Sequence, residues 1–271
     1  MLFRNTKCPN CEAYHDPTLK QCPKCNKSNE LYRLNRVPKR VAFMHPVAQV
    51  AMFLIGFAYV GMLLTEIIFA FFIRGMDIED ANYRSALLLT FTYLAMFAGL
   101  ISVPLFTRRK LFLSKFTNGI DYIYGIAFAV TVIAAGTLVN ALTSLVHTPA
   151  DNVNQTAVVS IATNYPLIGI FIMGLVGPIC EELTYRVGLY SFLRRINIYA
   201  AMVVTMVVFA MIHFSFDAEN IIEELWSLPS YLVTGLILTI AYELRGPACS
   251  ITAHATYNMF AILSIMVVQN G

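Results

Sequence analysis

The sequence predicts an all-α protein: a polytopic transmembrane helix bundle of about seven spans, preceded by a small N-terminal four-cysteine zinc ribbon. Three observations predict it. Of 271 residues, 58% are hydrophobic and only 13% are charged, too few charges to cover the surface of a soluble domain. Apolar runs near the ~20 residues that a bilayer-crossing helix needs recur along the chain after Val41. Two CxxC pairs stand close together near the start. The net charge of +3 is modest and shows no basic face of the kind nucleic-acid binding requires.

The first forty residues are polar and cysteine-rich, unlike a secretory signal peptide. Cys8-Pro9-Asn10-Cys11 and Cys22-Pro23-Lys24-Cys25 each set two thiolates on one tight turn, and two such turns close a tetrahedral four-sulfur site. A segment this short buries no core, so a structural zinc ion would supply its folding free energy. Two disulfides or free thiols are the alternative; disulfides need an oxidising compartment, whereas the topology below puts this end in the cytosol. The organisation that follows is a zinc-ribbon-like knob over 1–32, a basic linker over 33–46 and a transmembrane bundle over 47–271. Cys180 and Cys249 lie in apolar segments and are read as inert.

The expected spans are 47–73, 86–106, 120–146, 166–193, 199–214, 228–244 and 249–268. The fifth is short, and the run near Val158 has room for part of another. The loops alternate in charge. Arg33, Arg36, Lys39 and Arg40 precede the first span, and Arg108, Arg109, Lys110 and Lys115 follow the second. Arg194 and Arg195 follow the fourth, and Arg245 the sixth. The intervening loops are acidic or lack Lys and Arg, apart from Arg74 and Arg84 flanking the first of them. The positive-inside rule then puts the N-terminus in the cytosol and the C-terminus outside, in a cell membrane. The short chain and compact loops read as prokaryotic.

Ionisable residues inside spans are expensive and so point to function. Glu181 and Glu182 lie in the fourth span. Arg186, four residues after Glu182, shares its helix face in the order that favours an ion pair. Two adjacent carboxylates in a low dielectric do not both ionise easily, so an arginine holding one leaves the other poised for proton transfer. His213 stands at the outer end of the fifth span, and His254 and Asn258 share a face of the last. Singly, the histidines read as hydrogen-bonded core residues; together with two acids and an arginine on separate helices, they suit water activation and oxyanion stabilisation. Glu66, beside Thr65 in the first span, has no partner in this pattern and is read as structural.

Glu181-Glu182-x-x-x-Arg186, Phe209-x-x-x-His213 and His254-x-x-x-Asn258, in that order, resemble the motifs of the CAAX-protease and bacteriocin-processing (CPBP, or Abi) intramembrane proteases. Leu232-x-x-Gly235-Leu236 also fits, while Arg245-Gly246-Pro247-Ala248-Cys249-Ser250 departs from the commoner threonine-glycine-small pattern. The resemblance covers about 165–268, each motif being weak alone and the ordered set specific. It implies hydrolysis of a peptide bond in a membrane-associated peptide or protein. Glu181 and His213 would activate water, His254 and Asn258 would form the oxyanion hole, and Glu182 and Arg186 would orient the site. Bacteriocin maturation or self-immunity fits a prokaryotic chain better than a prenylated substrate.

A catalytic metal stays open: HExxH is absent, two histidines and a glutamate are able to hold zinc, and Arg186 would repel a cation, which favours the metal-free version. The competing reading is a non-catalytic scaffold or immunity protein whose zinc ribbon binds a partner. A proton-coupled transporter would show an inverted repeat, and none is visible. Counting at ~1.5 Å per residue from the basic ends puts Glu181 about 20 Å deep, His213 about 25 Å and His254 about 11 Å. A single site requires tilt or interrupted helices to bring them together.

Overall fold

The computed structural model describes residues 6–8, 10–15, 19–28, 37–60, 67, 69, 71, 74–75, 78, 80–147, 152–216 and 218–270. Two short strands, β1 (Thr6–Lys7) and β2 (Tyr14–His15), pair antiparallel in the N-terminal knob. Eight helices follow among the described residues: α1 (Pro46–Val60), α2 (Ala81–Leu113), α3 (Gly119–Ser144), α4 (Val153–Asn164), α5 (Pro166–Leu193), α6 (Ile198–Met211), α7 (Ile221–Arg245) and α8 (Pro247–Asn270). The all-α bundle with its four-cysteine knob is therefore the architecture. The boundary expected between knob and linker falls at residues outside the described set, and so does Glu66.

Among the described residues, five helices are long and apolar enough to cross a membrane: α2 with its 3₁₀ extension to Phe116, α3, α5, α7 and α8. Two more apolar helices, Pro46–Phe57 within α1 and Ile198–Met211, are shorter, which is compatible with about seven spans. At about 1.5 Å per residue, α6 reaches about 21 Å against the ~30 Å hydrocarbon core. The run near Val158 forms α4, a separate short helix.

Helix starts follow local chemistry. Asp80 accepts from the backbone N–H of Asn82 and Tyr83 at the start of α2. Asn152, Asn197 and Asn220 do the same for α4, α6 and α7. These side chains satisfy donors that a helix leaves unpaired, which a membrane does not tolerate. Gly246, at φ 88°, ends α7, and Pro247 opens α8 at once.

Two contacts draw the helices close. A Cβ on Gly188 would sit 2.8 Å from the Phe53 backbone nitrogen, so α5 meets α1 backbone to backbone. A Cβ on Gly125 would sit 2.6 Å from Thr252 Cβ, where α3 meets α8. Small residues at such crossings are the usual device in bilayers, where packing replaces the hydrophobic effect between helices.

The basic residues of alternate loops collect at one end of the bundle. There Arg40 Nε donates to the Glu243 carbonyl, Arg194 pairs with Glu243 and Arg245 pairs with Asp121. The other end carries Asp80 with Tyr165, and His147 with Glu223.

Candidate active site

The site is built around α5. This helix is not uniformly α-helical: Gly169–Val176 and Glu182–Tyr190 are wound as π-helix, with Gly177–Glu181 between them. π-Turns inside a helix shift the side chains that follow and collect at functional positions. Glu181 and Glu182 stand at the junction with the second π-segment. Between Glu181 and Tyr190 every residue is buried.

Glu182 is enclosed completely. Arg186 Nη1 lies 2.8 Å from its Oε1, with both side chains at zero exposure, and His254 Nδ1 lies 3.0 Å from the same oxygen. The guanidinium is held from two further directions. Its Nη2 donates to the Gly235 carbonyl on α7 at 3.1 Å, and its Cζ lies 4.4 Å from the ring centre of Phe209 on α6. Burying a lone charge is prohibitive; this charge meets a carboxylate, a carbonyl and a π-face. Gly235 carries no side chain because Phe209 stands there: a Cβ would lie 3.0 Å from the Phe209 ring.

Glu181 faces the other edge of His254. Its Oε2 lies 3.8 Å from His254 Nε2, buried and without a hydrogen-bond partner among the described residues, while Tyr93 on α2 donates to its Oε1 at 3.3 Å. The imidazole of His254 therefore bridges from a neutralised carboxylate to an open one. Phe209 closes the arrangement, its ring edge-on to His254 at 5.7 Å.

His213 lies in the turn after α6. Its Nδ1 stands 2.9 Å from the Phe209 carbonyl, and its ring stacks on Tyr231 of α7 at 4.5 Å. A carbonyl only accepts, so Nδ1 bears the proton and Nε2 of the neutral ring keeps its lone pair. His213 makes no direct hydrogen bond to Glu181 among the described residues. Asn258, one turn beyond His254, donates to the Met173 carbonyl in the first π-segment at 3.0 Å.

Glu181, Glu182, Arg186 and His254 thus meet directly, His213 joins through Phe209, and Asn258 stands one turn away on α8. The depth mismatch obtained by counting along straight helices does not separate them: Glu182 and His254 touch. Three residues that the sequence reading passed over complete the surroundings. Tyr93 holds Glu181. Tyr231 backs His213 and itself accepts hydrogen bonds from Asn152 at 3.3 Å and Asn154 at 3.0 Å. Glu224 accepts from the backbone of Val153 and Ser215, tying α4 and the His213 turn to α7. Gly235 stood in a motif, but tyrosines in apolar spans carry no signal that separates a site from a membrane interface.

The knob holds the other cluster. The Sγ atoms of Cys8, Cys11, Cys22 and Cys25 all lie within 4.8 Å of one another. Cys8 and Cys25 are 3.7 Å apart and Cys11 and Cys22 are 3.6 Å apart. Tetrahedral zinc with Zn–S near 2.3 Å needs edges of about 3.8 Å, so the sulfurs fit a metal ion. All four are free thiols. A hydrogen bond with the Asn10 side chain is foremost in pushing the Cys25 thiol down to about 6, toward the thiolate a metal binds. Both turns repeat one construction: the residue after the second cysteine, Glu12 or Asn26, adopts positive φ, and its N–H returns to the carbonyl of the first.

Comparison with known proteins follows the bundle alone. Residues 162–260 match the model of a family described as Rce1-like, Type II CAAX prenyl endopeptidase Rce1-like, a peptidase family consistent with the CPBP resemblance. The match spans a little over a third of the chain and contains all six candidate residues. No curated protein and no solved structure gives a significant match.

Proposed function

We propose, from a helix bundle whose residues 162–260 match a CAAX-protease family model, that this chain hydrolyses a peptide bond of a membrane-associated peptide or protein. The observation that carries the reading is Glu181 Oε2: a buried carboxylate oxygen, without a hydrogen-bond partner, facing an imidazole at 3.8 Å. Such an atom inside a membrane bundle is an acceptor held for something that is not protein.

In the proposed reaction, water is held by Glu181 Oε2 and His213 Nε2. Its oxygen attacks the scissile carbonyl carbon while its proton passes to Glu181. The oxyanion accepts from Asn258 Nδ2, whose second N–H is not used by Met173, and from His254 Nε2–H. That second role needs both imidazole nitrogens protonated, with Nδ1–H on Glu182. Collapse breaks the C–N bond, and the proton on Glu181 passes to the leaving amine. The products are a new carboxyl terminus and a new amine. Glu182 and Arg186 react with nothing; they fix the ring of His254.

A glutamate-dependent route without a catalytic metal is the version favoured. Glu182, the carboxylate a metal would recruit beside His254, is occupied at 2.8 Å by the Arg186 cation. Among the described residues, the four cysteines form the one cluster whose donors converge closely enough for an ion. A cytosolic N-terminus, zinc as the metal of the knob, and maturation of a bacteriocin or self-immunity as the biological setting belong to the same proposal.

The test is cleavage of candidate membrane peptides by the purified full chain. Glu181→Gln is expected to lower the rate by about a thousandfold, in the range of general-base catalysis, with helicity unchanged. His213→Ala should fall comparably. A Glu181→Gln protein that is folded and cleaves at the wild-type rate would establish the scaffold reading instead. Metal analysis of a variant with all four knob cysteines replaced by serine should find no ion; one bound ion per chain would overturn the metal-free route.

A further inference from the structure

At the basic end of the bundle, some cations are paired with a carboxylate and others gather around a cavity. Arg194 is 3.0 Å from Glu243, and Arg245 is 2.9 Å from Asp121. Four others surround a cavity of about 350 Å³ where the chain enters α1, α2 turns under the bundle and α5 has just ended. They are Lys39, Arg108, Lys115 and Arg195, and among the described residues no carboxylate lines the cavity. Among the described residues none of the four forms an ion pair.

Two of these side chains are held in place by neutral groups. Arg195 donates to the Gln49 side chain at 3.0 Å and to the Met44 carbonyl at 2.8 Å. Lys115 Nζ lies 5.6 Å from the ring centre of Phe43, which is buried. Arg108 is where the α-helical path of α2 breaks, at φ −147° and ψ 40°, so the residues after it turn to form one wall. The fold thus fixes uncompensated positive charge around a space, while it neutralises Arg194 and Arg245. Such a concavity selects an anion.

The position selects which anion. Phe106, two residues before Arg108, is 90% exposed; Leu105 and Leu113 on α2 and Val47, next to the cavity-lining Pro46 at the start of α1, are exposed too. The cavity therefore opens where the apolar faces of α1 and α2 end. A molecule with acyl chains against Phe106 and a phosphodiester just below it matches both surfaces, and basic pockets at helix ends recognise such headgroups.

We propose that the cavity bounded by Lys39, Arg108, Lys115 and Arg195 is a binding site for a phosphate-bearing anion, occupied by the phosphodiester of an anionic phospholipid. It is separate from the Glu181 cluster and does not depend on the protease reading.

The test uses the full-length chain in detergent. Its thermal midpoint and its retained lipid, by native mass spectrometry, are measured with phosphatidylglycerol, with phosphatidylcholine or with inorganic phosphate, at one ionic strength. Phosphatidylglycerol should raise the midpoint and stay bound, and phosphatidylcholine should not. Arg108→Gln and Lys115→Gln, made singly, should each weaken phosphatidylglycerol binding roughly fivefold. Arg109→Gln and Lys110→Gln remove the same charge outside the cavity and should bind as the wild type does. A midpoint raised by inorganic phosphate alone, and lost in Arg108→Gln, would support the site with a soluble phosphate as its occupant. Equal binding by wild type, Arg108→Gln and Lys115→Gln would overturn the proposal, and so would an equal loss in Arg109→Gln. Should a variant fail to fold, displacement of phosphatidylglycerol from wild type by excess phosphatidylcholine would overturn it as well.

Discussion

The knob and the buried cluster on α5 both gather polar groups that would be costly alone, but they are organised over different distances. The knob's four sulfurs come from 18 consecutive positions, Cys8 to Cys25, and two identical turns aim them at one point. The α5 cluster takes Glu182 and Arg186 from one helix, His254 from a helix 72 residues on, a carbonyl from Gly235 and a ring from Phe209. A local cluster has one stabilising partner to draw on, the metal ion its four sulfurs could hold. A distributed cluster is stabilised by the rest of the fold, and stabilises it in return. Removing a part should therefore have contained consequences in the first and global ones in the second.

The largest effect should come from taking the metal from the knob. Structural zinc in four-ligand sites is worth on the order of 10–16 kcal/mol to the segment it folds. A chelator, or Cys22→Ser, should abolish metal binding and the β1–β2 pairing, seen in the knob's amide NMR signals. The thermal midpoint of the bundle should not move; a bundle that melts with the knob would break the comparison.

Next in size is Arg186→Met. It leaves Glu182 charged and enclosed, and should destabilise the bundle by about 3–5 kcal/mol in denaturant unfolding. Glu182→Leu with Arg186→Met should recover most of that loss, because replacing both members of a buried pair removes the uncompensated charge. Failure of the double variant to recover would mean that His254 or the Gly235 carbonyl depends on the pair for its own position.

Gly188→Ala should cost about 1–3 kcal/mol, the range for overpacking a well-packed crossing, because the new methyl meets the backbone of α1. Gly136, with nothing within 4 Å, is its control: Ala there should be tolerated.

The smallest effect lies at the surface. The Tyr165 hydroxyl donates to Asp80 at 2.7 Å and, with the Tyr83 amide, holds the Asp80 carboxyl below its usual range. The folded-state value is depressed, so the contribution is complete above the ordinary carboxylate value of about 3.9 and fades as pH falls through the lowered one. Tyr165→Phe should slightly lower the thermal midpoint at neutral pH and leave it unchanged in strong acid.

Some residues announced themselves in the chain and others did not. The cysteines were legible because metal ligation imposes spacing on adjacent residues. Glu182 and Arg186 were legible as a pair because a helix turn brings positions four apart together, and here a π-turn still does so. His213, His254 and Asn258 were legible as candidates through an ordered set of motifs. Tyr93, Tyr231 and Glu224 were not: each acts through a contact with a distant segment, and nothing near it in sequence distinguishes it from other polar residues at the ends of spans. Lys39, Arg108, Lys115 and Arg195 were read as topology signals, which is all that a loop charge conveys before its neighbours are known.

By itself the sequence determined the class of the protein, its spans and its four-sulfur knob, because hydropathy, helical period and ligand spacing act between residues a few positions apart. Only the tertiary structure decided that His254 stands between two glutamates, that Phe209 and Gly235 receive Arg186, and that four cations share one cavity while Arg194 and Arg245 are paired. Those relations join segments far apart in the chain. They are fixed by how the helices pack, as at Gly188 and Gly125, and a linear pattern does not encode that packing in any short stretch.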